Sequence, residues 1–219
     1  MAFSCLVRKE FEMNQEETKT RSLILAAGKE EFLNKGFLAA SLRNIVKSAG
    51  VTTGAFYGYF SNKEALFTAL VEKDAAAVMG TYMQAQDDFS NLPMEQQPEN
   101  MGSISGDCIT WVIDYIYDHY DSFKLILCCS EGTPYSDFIH QMVEVEVENT
   151  YKFIDVLHTL GHKVPEIDKK LCHMIASGML NGIFEVVVHD MEREQAHTFI
   201  SQLREFYTAG WSKLMGLKL

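Results

Sequence analysis

Prolines are scarce in this chain, which has four among 219 residues (Pro93, Pro98, Pro134 and Pro165). Nothing before Pro93 therefore interrupts helix formation. β-branched runs bounded by turns are scarce too, which argues against a sheet protein. The one alternating stretch, Val143 to Glu148, lies inside a longer segment, Phe138 to Leu160, whose apolar arc keeps a helical period. No run of 18 apolar residues occurs, so no membrane-spanning helix is expected. The start, Met1 to Glu10, becomes charged too soon for a secretory leader. The five cysteines (Cys5, Cys108, Cys128, Cys129 and Cys172) are an odd number without repeating spacing, as expected of reduced thiols in a cytoplasmic protein. Nucleophile elbow, Walker loop and dinucleotide fingerprint are missing, so no enzyme, cofactor or metal site is expected. What remains is an all-α protein of roughly nine helices.

Positive charge is also short, 19 basic against 30 acidic residues, for a net −11. Taken whole, that balance speaks against nucleic acid. Its distribution along the chain points the other way. Residues 1–17 hold 2 basic and 4 acidic residues, residues 18–73 hold 8 and 4, and residues 74–219 hold 9 and 22. A basic segment of net +4 is thus joined to an acidic remainder of net −13, and such asymmetry suggests parts with different partners.

Within the basic segment, a first helix is expected from Thr18 to Lys35, stopped by Gly36. A second starts after Ser41, an N-cap residue, and ends at Ala49-Gly50, where glycine supplies the left-handed turn. A third spans Thr52 to Tyr59, and Ser61-Asn62-Lys63-Glu64 reads as a capping box opening a fourth. Two short helices joined by a glycine turn describe a helix-turn-helix, whose second helix enters the DNA major groove. In the third helix Phe56 and Phe60 can anchor one side in the core. The other side offers Thr52, Thr53, Gly54, Ala55, Gly58 and Tyr59. Two glycines here cost about 1 kcal/mol each against alanine. They make sense either where bare backbone approaches phosphate or where helices pack tightly. Threonine hydroxyls can reach bases or phosphates, and tyrosine hydroxyls can reach phosphates.

Residues 20–67 resemble the DNA-binding domain of TetR-family transcriptional regulators. The likeness rests on the Ala49-Gly50-Val51 turn, the Gly and Tyr residues of the third helix, and the Phe60-x-x-Lys63-Glu64-x-Leu66 entry to the fourth. It implies a cytoplasmic all-helical homodimer that binds a palindromic double-stranded operator, usually as a repressor released by a small effector. By position, Ser41 and Arg43 would contact phosphate, as would Lys63 as a backbone clamp. Thr52, Thr53, Gly54, Ala55, Tyr57 and Tyr59 would form the face presented to DNA. Many members carry Lys or Arg where Thr53 stands and a bulky residue where Gly58 stands, so recognition here rests on hydroxyl and methyl contacts. The domains expected are an extension over 1–17, the head over 18–65 and an effector-binding and dimerisation body over 66–219. A polar connection, Asp87 to Ser105, is expected to be a mobile loop.

In the body, Glu146 falls near the centre of an apolar arc, and a carboxylate there needs a partner. It is either a ligand-binding acid facing a hydrophobic effector able to carry positive charge, or a structural hydrogen-bond partner. His119, two helices earlier, raises the same question. Trp111, Tyr115, Phe123 and Met142 would wall a pocket with these two. The last helix carries a stripe including Phe206, Tyr207, Gly210 and Trp211, and the preceding one carries Gly178 and Gly182. The family resemblance implies a four-helix dimer seam from this pair. The alternatives are a helical-bundle enzyme or a thiol sensor at Cys128-Cys129.

Overall fold

The computed structural model describes residues 2–217, with side chains from residue 17 onward. All regular elements among them are helical: α1 (Ala2–Ala39), α2 (Leu42–Ser48), α3 (Thr53–Tyr59), α4 (Lys63–Ser90), α5 (Gln97–Asn100), α6 (Ser103–Asp118), α7 (Tyr120–Cys128), α8 (Phe138–Thr159), α9 (Lys169–Val188) and α10 (Arg193–Leu214), with 3-10 turns at Met94–Gln96 and Pro134–Asp137.

Two boundaries differ from expectation. The helix expected from Thr18 begins at Ala2, so the 1–17 extension is backbone-continuous with it; Cys5 lies outside the residues with described side chains. Gly36 breaks α1 at φ +70, leaving one turn beyond. The segment Asp87 to Ser105 is largely helical rather than an open loop. α4 continues to Ser90, and buried Gln97 folds the chain back by donating to the carbonyls of Ser90 (3.3 Å) and Leu92 (3.1 Å). Pro93 and Pro98 sit at the starts of short turns, where a missing N–H costs little.

The head closes around Ile24, Phe32, Ile45, Phe56, Leu66 and Phe67, all fully buried. Phe67 packs edge-on against Phe32 and Phe37, with ring centroids 5.2 and 5.5 Å apart. In the body, α9 packs against α7, α8 and α10, while α4 packs against α1, α6, α7 and α8. By length and composition α9 is apolar enough to cross a membrane. Its Cys172, Ala176, Leu180, Ile183 and Phe184 are buried among its neighbours, while Leu171, Met174 and Val188 are exposed.

Head and body meet at a defined seam. Phe37 N–H donates to the Cys129 carbonyl (2.8 Å) and Lys29 pairs with Asp121 (2.6 Å). Gly132, at φ +87, leaves space for Leu38, whose Cδ2 would lie 2.5 Å from an added Cβ.

Candidate functional site

The second and third helices form the expected helix-turn-helix. α2 ends at Ala49, Gly50 takes φ +67, and Thr52 caps α3 by accepting from Ala55 N–H (3.1 Å). Phe56 and Phe60 point into the head core, leaving Thr52, Thr53, Gly54, Tyr57 and Gly58 exposed and Ala55 and Tyr59 half-buried. A Cβ added at Gly58 would meet nothing within 4 Å, and one at Gly54 only the Thr52 hydroxyl at 3.9 Å. Tight intramolecular packing therefore does not require either glycine. Arg43 and Lys47 stand exposed one turn apart on α2, and neither forms an ion pair among the described residues. Arg21 lies over the Phe60 ring at the end of α3, 5.5 Å from its centroid.

Three details at this surface correct the sequence reading. The cap of α4 is Asn62, not Ser61: its Oδ1 accepts from Ala65 N–H at 2.7 Å. Lys63, expected on a DNA phosphate, donates instead to the carbonyls of Phe37 (2.6 Å), Leu38 (3.3 Å) and Ala40 (3.0 Å), beneath which the Phe37 ring lies 4.5 Å away. Burial holds its pKa below the usual lysine value. Its charge is committed to closing the chain after Gly36. The Ser41 hydroxyl does not cap α2; Glu31 accepts from Ser41 N–H (3.0 Å) and Asn44 (3.2 Å), which keeps its carboxyl below the ordinary range.

The body contains a mostly apolar cavity of about 140 Å³, walled by α4, α6, α8, α9 and α10. Glu146 and Met142 are on its wall, with Tyr82, Gln86, Cys108, Ile183, Arg204 and Trp211. Glu146 Oε2 accepts from the Tyr82 hydroxyl (2.5 Å) and from Gln86 Nε2 (2.7 Å), so α8 is tied to α4 through one carboxyl oxygen. Burial pushes this carboxyl above its ordinary pKa, against the two hydrogen bonds, which pull it down. The nearby Cys108 thiol is pushed up to about 11 by burial and then by Glu146.

The other residues expected around this pocket lie elsewhere. Trp111, Tyr115 and His119 stack in a ladder along α6, with centroid separations of 4.9 and 4.3 Å. Tyr115 donates to Asp74 Oδ1 (3.0 Å), and His119 Nδ1 sits 3.3 Å from the same oxygen. Phe123 is core, edge-on to Tyr115. His119 is thus half-exposed and bound to an acid on α4, and it does not share a cavity with Glu146. Sequence reasoning missed Tyr82, Gln86 and Arg204. The first two stand at i, i+4 on α4, and that spacing was the available signal.

The residues expected at a dimer seam differ in their surroundings within the chain. An added Cβ at Gly178 would lie 2.9 Å from the Tyr207 hydroxyl, and one at Gly182 would lie 3.1 Å from Leu203. Both glycines serve the close approach of α9 and α10 within one chain, and Trp211, 7% exposed, belongs to the cavity wall. Phe206 is 71% exposed and Gly210 is open, while Leu171 and Met174 of α9 are exposed as well.

His140 and Glu144, one turn apart on α8, lie with His173 of α9 so that their ligand atoms are within 4.8 Å of one another, an arrangement able to hold a transition metal. Cys128 is exposed and Cys129 buried, and both thiols are pushed up chiefly by burial, the opposite of what a reactive sensor thiol requires.

The chain thus joins an N-terminal helix-turn-helix to a helical body that holds an apolar cavity. Residues 24–70 match the family described as bacterial regulatory proteins, tetR family. The chain is 35% identical over 72 residues to the HTH-type transcriptional regulator UidR of Escherichia coli (strain K12), covering 33% of this chain and 37% of that protein. It is 41% identical over 61 residues to the HTH-type transcriptional repressor NemR of the same organism, covering 28% and 31%. The chain therefore aligns with only about a third of these relatives' length. The fold extends the likeness: a TerR/AcrR-family transcriptional regulator from Aquifex aeolicus VF5 superposes with a TM-score of 0.53 at 19% identity, over 87% of this chain and 98% of that one. Over residues 24–70, then, the chain is similar to the DNA-binding domain of TetR-family regulators.

Proposed function

We propose that the protein is a ligand-responsive repressor that binds a palindromic operator as a homodimer and is released when a small molecule with a hydrophobic body fills the body cavity. The observation that carries this reading is α4, which contributes Leu66 and Phe67 to the head core and Tyr82 and Gln86 to the cavity wall. These ends are about 22 Å apart along one rigid helix. A rearrangement at Glu146 is therefore felt by the element on which the head is mounted. Effector and DNA then weaken each other's binding reciprocally.

The DNA face consists of Thr52, Thr53, Gly54, Ala55, Tyr57 and Tyr59, flanked by Ser41 and Arg43 as phosphate contacts. Head and body divide near residue 65, inside α4. Dimerisation uses the exposed stripe of Leu171, Met174, Phe206 and Gly210, and must place two α3 helices about 34 Å apart to read successive major grooves. The acidic body repels DNA everywhere but at the head, which limits non-specific binding. The repressor sense agrees with NemR, whose name gives that role.

Selection of bound fragments from a genomic DNA library, followed by footprinting, tests this. A two-fold symmetric protected site is expected. Absence of any protected sequence at physiological salt would overturn the reading.

A further inference from the structure

Three polar groups in the cavity wall have incomplete bonding. Arg204 of α10 lays its guanidinium against Gly106, where an added Cβ would lie 2.4 to 2.7 Å from its atoms. Among the described residues it forms no ion pair and no hydrogen bond. Trp211, two turns further along α10, has its Nε1 buried without an acceptor. Both hydrogen bonds received by Glu146 go to Oε2, so Oε1 is left over.

The unpaired arginine is not explained by a shortage of acids. Residues 74–219 hold 22 acidic residues against 9 basic ones, and the other arginine there, Arg193, binds Asp114 and Asp118 at 2.6 and 2.8 Å. A half-buried guanidinium beside an apolar space, in an acid-rich domain, is a receptor for an anion that is not part of the chain. Glu146 does not make the same case for a cation. Tyr82 and Gln86 already donate to it, and burial favours its neutral form. The glycine at 106 fits this view, since any side chain there would displace the guanidinium.

We propose that the effector is a small amphipathic anion, a monocarboxylate with an aromatic or short aliphatic body, whose carboxylate pairs with Arg204 while its body fills the space between α4, α8 and α9. This rests on the reading of the cavity as the effector site. The cavity, at about 140 Å³, is close to the size of an engineered apolar cavity of about 150 Å³ that takes benzene. A single ring or a chain of comparable bulk is the matching body. An acceptor on that body would satisfy Trp211, and a hydroxyl could donate to Glu146 Oε1.

Three probes sharing one body separate charge from shape: 3-phenylpropionate, 3-phenylpropanol and 3-phenylpropylamine, titrated calorimetrically against the full-length protein. The carboxylate is expected to bind at least about tenfold tighter than the alcohol, and the amine weakest. That preference should vanish in Arg204→Gln and in Gly106→Ala, whose added methyl displaces the guanidinium from the α6 side, and should survive Glu146→Gln. Ligand-free melting curves establish that each variant is folded. Tightest binding by the amine, equal binding of all three, or a carboxylate preference that survives both Arg204→Gln and Gly106→Ala overturns the anion assignment while leaving the cavity as the effector site. No binding by any probe at millimolar concentration overturns both.

Discussion

Gly58→Ala separates the requirements of the free protein from those of the DNA complex. Gly58 is helical, exposed and without any neighbour within 4 Å of an added Cβ. Alanine should therefore fit without strain. Replacing a helix-interior glycine in this way is worth about 0.5–1 kcal/mol, partly through reduced freedom of the unfolded chain. In a protein of this size that raises Tm by roughly 1–4 °C. A glycine retained against that gain must serve something outside the free molecule, and a phosphate backbone approaching α3 closely is the proposed reason. Operator affinity should then fall as stability rises, by several-fold for a single intruding methyl. Differential scanning calorimetry and an operator titration at fixed salt measure the two quantities on one sample. A variant that is more stable and binds the operator as tightly as before would refute the close approach of the DNA backbone. A variant that melts earlier would refute the claim that the space beside Gly58 is open.

Arg43→Ala should weaken operator binding and lower the salt slope of log K by about one unit, whereas Lys63→Met should leave that slope intact, as seen in titrations across a salt series. Lys63→Met should instead destabilise the fold by roughly 1–3 kcal/mol, because three carbonyls lose a charged donor, measurable by urea denaturation. Phe206→Glu should convert the dimer to a monomer in sedimentation velocity and abolish operator binding, with an unchanged far-UV spectrum; a persistent dimer removes this face from the interface. Glu146 has a folded pKa above its unfolded value, so its contribution is full below the ordinary carboxylate pKa and is lost as pH rises through the raised one. Stability of the wild type relative to Glu146→Gln should accordingly decline on going from acid toward neutral pH, and a parallel pair of pH–stability curves would contradict it.

The head is legible in the sequence because its signals are local. Gly50 needs a positive φ, Phe56 and Phe60 share a helical face, and Thr52 caps the helix it begins; each is decided by residues within one or two turns. Lys63 misleads because its partners, the carbonyls of residues 37–40, are distant in sequence and carry no side-chain signature. The same reason separates Glu146 from His119. Periodicity places both on apolar arcs, yet it does not say which helix each arc meets. One meets Tyr82 and Gln86, the other Asp74, about two to three turns away along α4. Gly178 and Gly182 are sites of close helix approach, as their place in the apolar stripes suggests, but a helix of the same chain fills the space assigned to a partner.

That both anomalous side chains of the body bind the same helix bears on the energetics of release. A coupling of 1–3 kcal/mol between effector and operator is typical of allosteric proteins. One hydrogen bond contributes about 0.5–1.5 kcal/mol net, and more when a charged group takes part. The pair donated to Glu146 Oε2 therefore holds enough free energy to account for the whole effect, without any broader rearrangement of the core. An effector that competes for Tyr82 or Gln86 frees α4 from α8 at that level. Further toward the head, Asp74 still holds α4 to Tyr115 and His119 of α6. In the proposed mechanism the Asp74 contacts are the point about which α4 would tilt, so that loosening its far end would displace α3 at the other.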